Sequence, residues 1–558
     1  MRTSLFAALG MALATAGAIP AAAQSDRSTV PLYDNLGEHH YGVTTHEPRA
    51  QRYFDQGLRL YYAFNHAEAI RAFDEAARLD PRCAMCFWGS ALSYGPNINV
   101  PMDSASGVAA HVAIEKAVAA ASFVSPRERS LIDALAKRYV ATPAADRSAL
   151  DSAYAFAMRN VVARFPSDAD ARTLYAESLM DLSPWNYWEK DGSPRPHTRE
   201  LVSQLDKVIA ANKLHPGALH FFIHAVEAVD PKRAVPIAER LANLMPGAGH
   251  LVHMPGHIYV RVGRYVDAIK ANEHAVHADE TFIGDQKPSM GPYVGAYYPH
   301  NYAFLAFVGS LIGRSQQSLS ASEKLVTLAP PELQRVPAMS FAQHHATRHL
   351  QMKIRFAKWD DILEAPAPAE DLVHARAMWH YARGRALAAR GNVRDAEAEL
   401  VQVRAAAARP SAAEFRLDFN TSAAVLGIAA EALDGHIAAS QKDYPRAVRH
   451  LREAARLEDA LVYGEPPEWT VPVRQELGVV QLDAGLAADA ERSFREDLAR
   501  FPENGWSLHG LARALKARGR MSEAAGVMER FRRVWSGSDI QLAAVGGVAH
   551  PRVTFSQR

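Results

Sequence analysis

The chain lacks a charge bias. Its 62 basic and 61 acidic residues leave a net charge of +1 and are spread along the sequence, which argues against nucleic acid or an anionic membrane as the main partner. Its glycine and proline content is modest and β-branched runs are scarce, so extended sheet is not expected. It has two cysteines, Cys83 and Cys86. No glycine-rich phosphate loop, serine-nucleophile motif or nucleotide fingerprint appears. Past the N-terminus no apolar run reaches the roughly 18 residues that a membrane-spanning helix needs, so no membrane insertion is expected.

What is present begins with an export signal. Arg2 supplies the positive start, Leu5 to Ile19 is a short apolar stretch, and Ala21-Ala22-Ala23 before Gln24 is a small-residue cleavage site. No cysteine lies near it to carry a lipid anchor. The expected location is the periplasm, with secretion as the alternative.

The remainder repeats itself at about 34 residues, the period of the tetratricopeptide (TPR) helix–turn–helix unit. The clearest unit carries Gly57, Leu60, Ala69, Phe73, Ala76 and Pro81. The spacing recurs with Gly478, Gln481, Ala490, Phe494 and Pro502, then with Ala512, Leu515, Ala524 and Phe531. Small residues let paired helices approach, the aromatic fills the gap between them, and proline ends the second helix. The fold class read from this is all-α, a TPR-like helical-repeat solenoid built as a superhelix of antiparallel helix pairs. The expected organisation is a signal peptide over 1–23, a lead-in over 24–49, the solenoid over 50–535 and a tail over 536–558. Three stretches break the rhythm, near 93–103, 182–197 and 282–299; such inserts often border a binding surface. Their aromatics Trp185, Tyr187, Trp188, Tyr297 and Tyr298 either wall a ligand-binding groove or cap the core.

Nine of the 24 histidines fall between His215 and His300. Aligning the middle repeats by Gly263-Arg264-Tyr265 and Gly313-Arg314-Ser315 places them on the positions of the first helix that face the groove. The second position holds Gly217, His250 and His300. The fifth holds His220, His253 and Ala303, and the ninth holds His224, His257 and Phe307. Residues four apart share a helix face, and Glu227 lies one turn beyond His224. These six histidines with Glu227 form a candidate site for Zn, Cu, Ni or Fe. Oxygen ligands are too few for Ca or Mg. The competing reading is a polar groove that binds peptide. Pro255, between His253 and His257, kinks the helix and aims these imidazoles either together or apart. The segment is not His-Glu-x-x-His, so no metalloprotease motif is present. In the cluster His344, His345 and His349, the same register sends only His344 to the groove.

Cys83 and Cys86 open a helix after Pro81. Phe87 stands where covalent c-type haem needs histidine, and no βαβ context supports a thioredoxin-type pair. A local disulfide is the first reading; a redox pair or a copper(I) site is the alternative.

The motifs Asp80-Pro-x-Cys-x-Met-Cys-x-Trp-Gly89, Gly95-Pro-Asn-x-Asn99, Gly249-His-Leu-Val-His-Met-Pro-x-His-Ile-Tyr259, Tyr298-Pro-His-Asn301 and Glu465-Pro-Pro-x-Trp469 resemble those of a group of exported bacterial TPR-repeat proteins of unestablished activity. The resemblance spans nearly the whole mature chain and implies the fold. TPR repeats in general imply a protein- or peptide-binding scaffold. Three functions therefore stand: a groove binder with a histidine metal site, a metal-dependent hydrolase or oxidase using that site, and a metal-free protein–protein scaffold.

Overall fold

The computed structural model describes residues 30–542 and 553–555. The export signal read over 1–23 lies outside the described residues, as do parts of the lead-in and of the tail. The described chain is all-α apart from one short antiparallel pair, Ile540–Leu542 with Val553–Phe555.

Helices pack in sequence as antiparallel pairs, and the repeat residues show why. Phe73, on the helix His66–Leu79, is wedged between Gly57 and Gly89 of the helices on either side; a Cβ at those glycines would lie 2.8 and 2.4 Å from its ring. Phe494, on Ala487–Arg500, lies in the same way between Gly478 and Gly510, at 2.5 and 2.2 Å. Any larger side chain would force the helices apart, so the spacing of small and aromatic residues sets the interhelical distance. The aligned turns also match. Gly263 and Gly313 adopt φ +78° and +75°, a left-handed conformation that favours glycine, and the following amides of Arg264 and Arg314 close the turn on the Tyr259 and Gly309 carbonyls.

Cys83 and Cys86 form a disulfide at the start of the helix Ala84–Ser93, where Cys83 Sγ also accepts the Cys86 amide. The closed loop is so short that its entropic contribution is at most about 2 kcal/mol. A Cys83→Ser/Cys86→Ser variant is therefore expected to lose no more than this in urea unfolding. A loss that prevented folding would give the bridge a larger role.

Two sequence expectations change. The third break is shorter than 282–299, because the helix Tyr265–Gln286 runs on through Phe282, and a π-helical turn, Tyr293–Tyr297, leads directly into the helix Tyr298–Leu311. The helix Ser422–Ser440 is long and apolar enough to cross a membrane by length and composition. Its apolar window is 78% buried inside the molecule, as expected of a core helix.

The superhelix closes on itself. Trp506 Nε1 donates to the Ser310 carbonyl, Tyr265 OH to the Pro502 carbonyl and Arg261 to the Arg500 carbonyl. The Asp539 carboxylate caps the helix Ser315–Leu328 by accepting the Ser315 and Gln316 amides. Phe501 and Trp506 thereby join the hydrophobic core of the N-terminal and middle repeats. The C-terminal repeats close the inner face, so what the repeat pattern reads as an open groove is a cavity.

Candidate metal centre

Four helical segments carry the candidate imidazoles. His220 and His224 lie one turn apart on Pro216–Val226. His250 and His253 lie on Gly249–His253, and His257 on Pro255–Arg261. His300 opens Tyr298–Leu311. All but His300, which is partly exposed to the cavity, are buried. Pro255 divides its helix in two, yet Met254 keeps helical φ and ψ of −50° and −37°. The bend brings the imidazoles together, with His253 Nε2 2.8 Å from His257 Nε2. His250 Nε2 lies 3.2 Å from His220 Nε2.

The outward nitrogens fix the tautomers. His220 Nδ1 donates to the Tyr62 carbonyl at 2.7 Å. His224 and His257 donate from Nδ1 to the two oxygens of one carboxylate, Glu227, at 3.1 and 2.6 Å. His253 Nδ1 donates to Asn272 Oδ1 at 2.8 Å, and the Asn272 amide is oriented by its own donation to the Ala268 carbonyl. Gly256 makes room for that amide, since a Cβ there would lie 2.7 Å from Asn272 Nδ2. With Nδ1 protonated, four Nε2 lone pairs point inward. His253 and His257 then aim two lone pairs at each other, and His224 Nε2 has no hydrogen-bond partner despite its burial. Buried polar atoms are normally paired, and two facing lone pairs require a proton or a metal cation between them.

Electrostatics favour the neutral, ligating form at five of the six imidazoles. Burial lowers His220, His250, His253 and His300 well below the usual imidazole value, and neighbouring imidazoles lower them further. Burial also lowers His224, against the pull of Glu227. Burial by itself would raise the Glu227 carboxyl, but the charge of His257 and the hydrogen bonds from both imidazoles bring it down to about 2. Outward Nδ1 atoms on a carboxylate, carbonyl or amide, with Nε2 atoms converging, is the pattern by which proteins orient metal-binding imidazoles.

The donor atoms gather in sets. Those of His220, His224 and His250 lie within 4.8 Å of one another, as do those of His253, His257 and His300, and those of His224, Glu227 and His257. A further set, His39, Asp170 and His215, was not singled out by the sequence. It is internally satisfied, because Asp170 accepts from His39, His215 and Tyr62 while His215 Nδ1 accepts the Ala218 amide. It reads as a structural network.

Beside the imidazoles lies a cavity of about 1230 Å³. His224, His250, His257 and His300 line one wall, and each of the three rhythm breaks contributes, through Asn99, Trp185 and Tyr297 among others. The expected lining needs correction at four positions. Tyr187 is buried in the core. Trp188 turns away to donate to the Ala225 carbonyl, and Tyr298 donates to Glu280 at the protein edge. His344 points between helices toward His374, 3.4 Å away. His345, one residue on and so about 100° round the helix, lines the cavity in its place.

Sequence reasoning missed part of the lining. Residues 415–419 contribute to it together with Glu465, Pro466 and Glu468, and Phe419 packs against Trp185 at 4.8 Å between ring centroids. One oxygen of buried Glu468 accepts the amides of Asp418, Phe419 and Asn420. Burial raises Glu465, with Glu227 adding to the effect, and its Oε2 has no hydrogen-bond partner. The Glu-Pro-Pro segment was legible only as one of the motifs of the resemblance. A Glu468→Ala variant is expected to lose about 3 kcal/mol, because three bonds to one charged acceptor go at once. Glu468→Gln, which keeps an acceptor, should lose about 1 kcal/mol. Urea unfolding and protease cutting at 415–421 would check this, and equal behaviour of the two variants would refute it.

No family model matches the chain, and no curated protein matches it. Solved structures are similar only at low level. The human IFIT1 dimer with m7Gppp-AAAA is 11% identical over 88% of this chain and 91% of that chain, with a TM-score of 0.32. The P58(IPK) TPR domain is 13% identical over 84% of this chain and 98% of that chain, with a TM-score of 0.21. Both are helical-repeat structures. At this level the likeness bears on no ligand, and the RNA cap of the first belongs to that protein.

Proposed function

We propose that this protein is an exported TPR-like solenoid that holds a transition metal on the imidazoles of its inner face and takes a ligand in the adjoining cavity. The observation that carries the reading is the His253–His257 pair. Both imidazoles donate outward from Nδ1, and their Nε2 atoms stand 2.8 Å apart in a buried site. A metal cation there turns both lone pairs into bonds. An all-imidazole donor set suits Zn, Cu, Ni or Fe.

The cavity fits a small molecule or a short peptide segment better than a folded partner. Its imidazole wall leaves a bound metal accessible on one side, the arrangement that metal-dependent hydrolysis or oxidation would also use. Elemental analysis of untagged protein, before and after exposure to Zn, Cu, Ni and Fe salts, tests the reading. At least one equivalent retained through gel filtration supports it. No retained metal with any of the four would overturn it and leave the metal-free scaffold. Export is tested separately by fractionating cells that express the full chain and asking where the cleaved form accumulates.

A further inference from the structure

The repeat alignment and the donor geometry together define two sites. The first gathers the fifth- and ninth-position histidines of one repeat, His220 and His224, with the second-position histidine of the next, His250. The second gathers the fifth- and ninth-position histidines of that next repeat, His253 and His257, with the second-position histidine of the repeat after it, His300. A solenoid superimposes each repeat on its neighbour by one fixed displacement. A three-imidazole site built across one repeat junction is therefore reproduced across the following junction when the same positions carry histidine.

The short nitrogen–nitrogen distances agree with this division. Two nitrogens bound at ~2.0–2.1 Å to one ion stand roughly 3 Å apart. The closest Nε2 pairs, His220–His250 at 3.2 Å and His253–His257 at 2.8 Å, each fall inside one set. Ring centroids do not separate the sets: within the first they are 4.9 Å apart for His220–His250, 5.0 Å for His220–His224 and 6.3 Å for His224–His250. Within the second they are 4.7 Å for His253–His257, 4.9 Å for His253–His300 and 5.8 Å for His257–His300. The sets meet at His224–His257, 5.3 Å, and His250–His253, 5.8 Å. Glu227 stands behind this meeting line with one oxygen on an imidazole of each set. A single carboxylate thus orients one ligand of each site and offsets part of the positive charge that two ions would bring into a buried region.

We propose that the inner face binds two transition-metal ions side by side, one on His220, His224 and His250 and one on His253, His257 and His300, with Glu227 as a shared positioning residue. This rests on the metal-binding reading above. Three imidazoles leave each ion short of a closed coordination shell. His224, His250, His257 and His300 all reach the cavity wall, so the free positions of both ions face the same space. A small anionic ligand that bridges two metals is the class such a pair would take. Copper is the first choice, because a given nitrogen site binds copper(II) most tightly among the divalent first-row ions.

The test is stoichiometry on the full mature chain, with copper(II) and zinc added separately and excess removed. About two equivalents per chain are expected in the wild type. A His224→Ala variant should retain about one, and so should His300→Ala, while the combined variant should retain none. Circular dichroism and thermal melting confirm that each variant is folded. Saturation of the wild type at one equivalent, abolished by either single substitution, would overturn the two-ion proposal and leave the single-metal reading standing. No binding at all would overturn both. The wild-type count needs no variant, so misfolding of a substituted chain does not protect the proposal.

Discussion

Stripping the protein of transition metal with a chelator is expected to lower its unfolding free energy by about 3 kcal/mol per bound ion, and refilling is expected to restore it. A ligand at one hundred times its dissociation constant stabilises the folded state by ~2.7 kcal/mol per site. The site also gives the metal a specific task. His253 and His257 hold two Nε2 lone pairs 2.8 Å apart, with both Nδ1 protons committed to Asn272 and Glu227. Without a cation those lone pairs repel, or one of the two imidazoles must carry a second proton. Urea unfolding with and without chelator measures the effect. A His253→Ala/His257→Ala variant should lose the part of the metal response that this pair supplies, since both facing lone pairs are gone. Superimposable curves for the stripped and refilled wild type would remove the metal from the stability of this protein.

Replacing Glu227 by glutamine is expected to weaken metal binding about 10–100-fold, the usual consequence of losing a group that orients a metal-binding histidine. The substitution keeps size and shape but changes hydrogen-bond sense. The carboxylate accepts from His224 Nδ1 with one oxygen and from His257 Nδ1 with the other. An amide has one acceptor and one donor, so only one imidazole keeps its tautomer. The other must accept at Nδ1 and carry its proton on Nε2, where a metal would bind. Competition titration against a chromophoric chelator gives the affinity. The fold should persist, because the amide still bonds both rings. Unchanged affinity would mean that Glu227 orients neither imidazole.

Much of the fold was legible because its determinants are local. Gly57 and Phe73, or Gly478 and Phe494, lie at fixed separations and meet wherever two helices pair, so periodicity alone announces them. The six histidines and Glu227 were legible for the same reason, since residues at equivalent repeat positions face the same way. The lining failed where this logic stops. His344 was assigned to the groove, yet the superhelix at that point is rotated by about one residue and presents His345. Tyr187 and Trp188 lie in a break, where no periodicity fixes a direction, and they pack inward on the core and on the Ala225 carbonyl.

The sequence by itself determined the helical repeat, the pairing of neighbouring helices and the placement of imidazoles on three successive inner faces. All of these follow from the translation of one short unit along the chain. Only the tertiary structure decided that the Pro255 bend converges His253 on His257 rather than parting them. It alone showed that Glu227 serves an imidazole from each of two repeats, and that residues 415–419 with Glu465 and Glu468 join the cavity lining. The first two depend on side-chain packing within and between adjacent repeats; the last depends on contacts between residues far apart in the chain, which no repeat unit encodes.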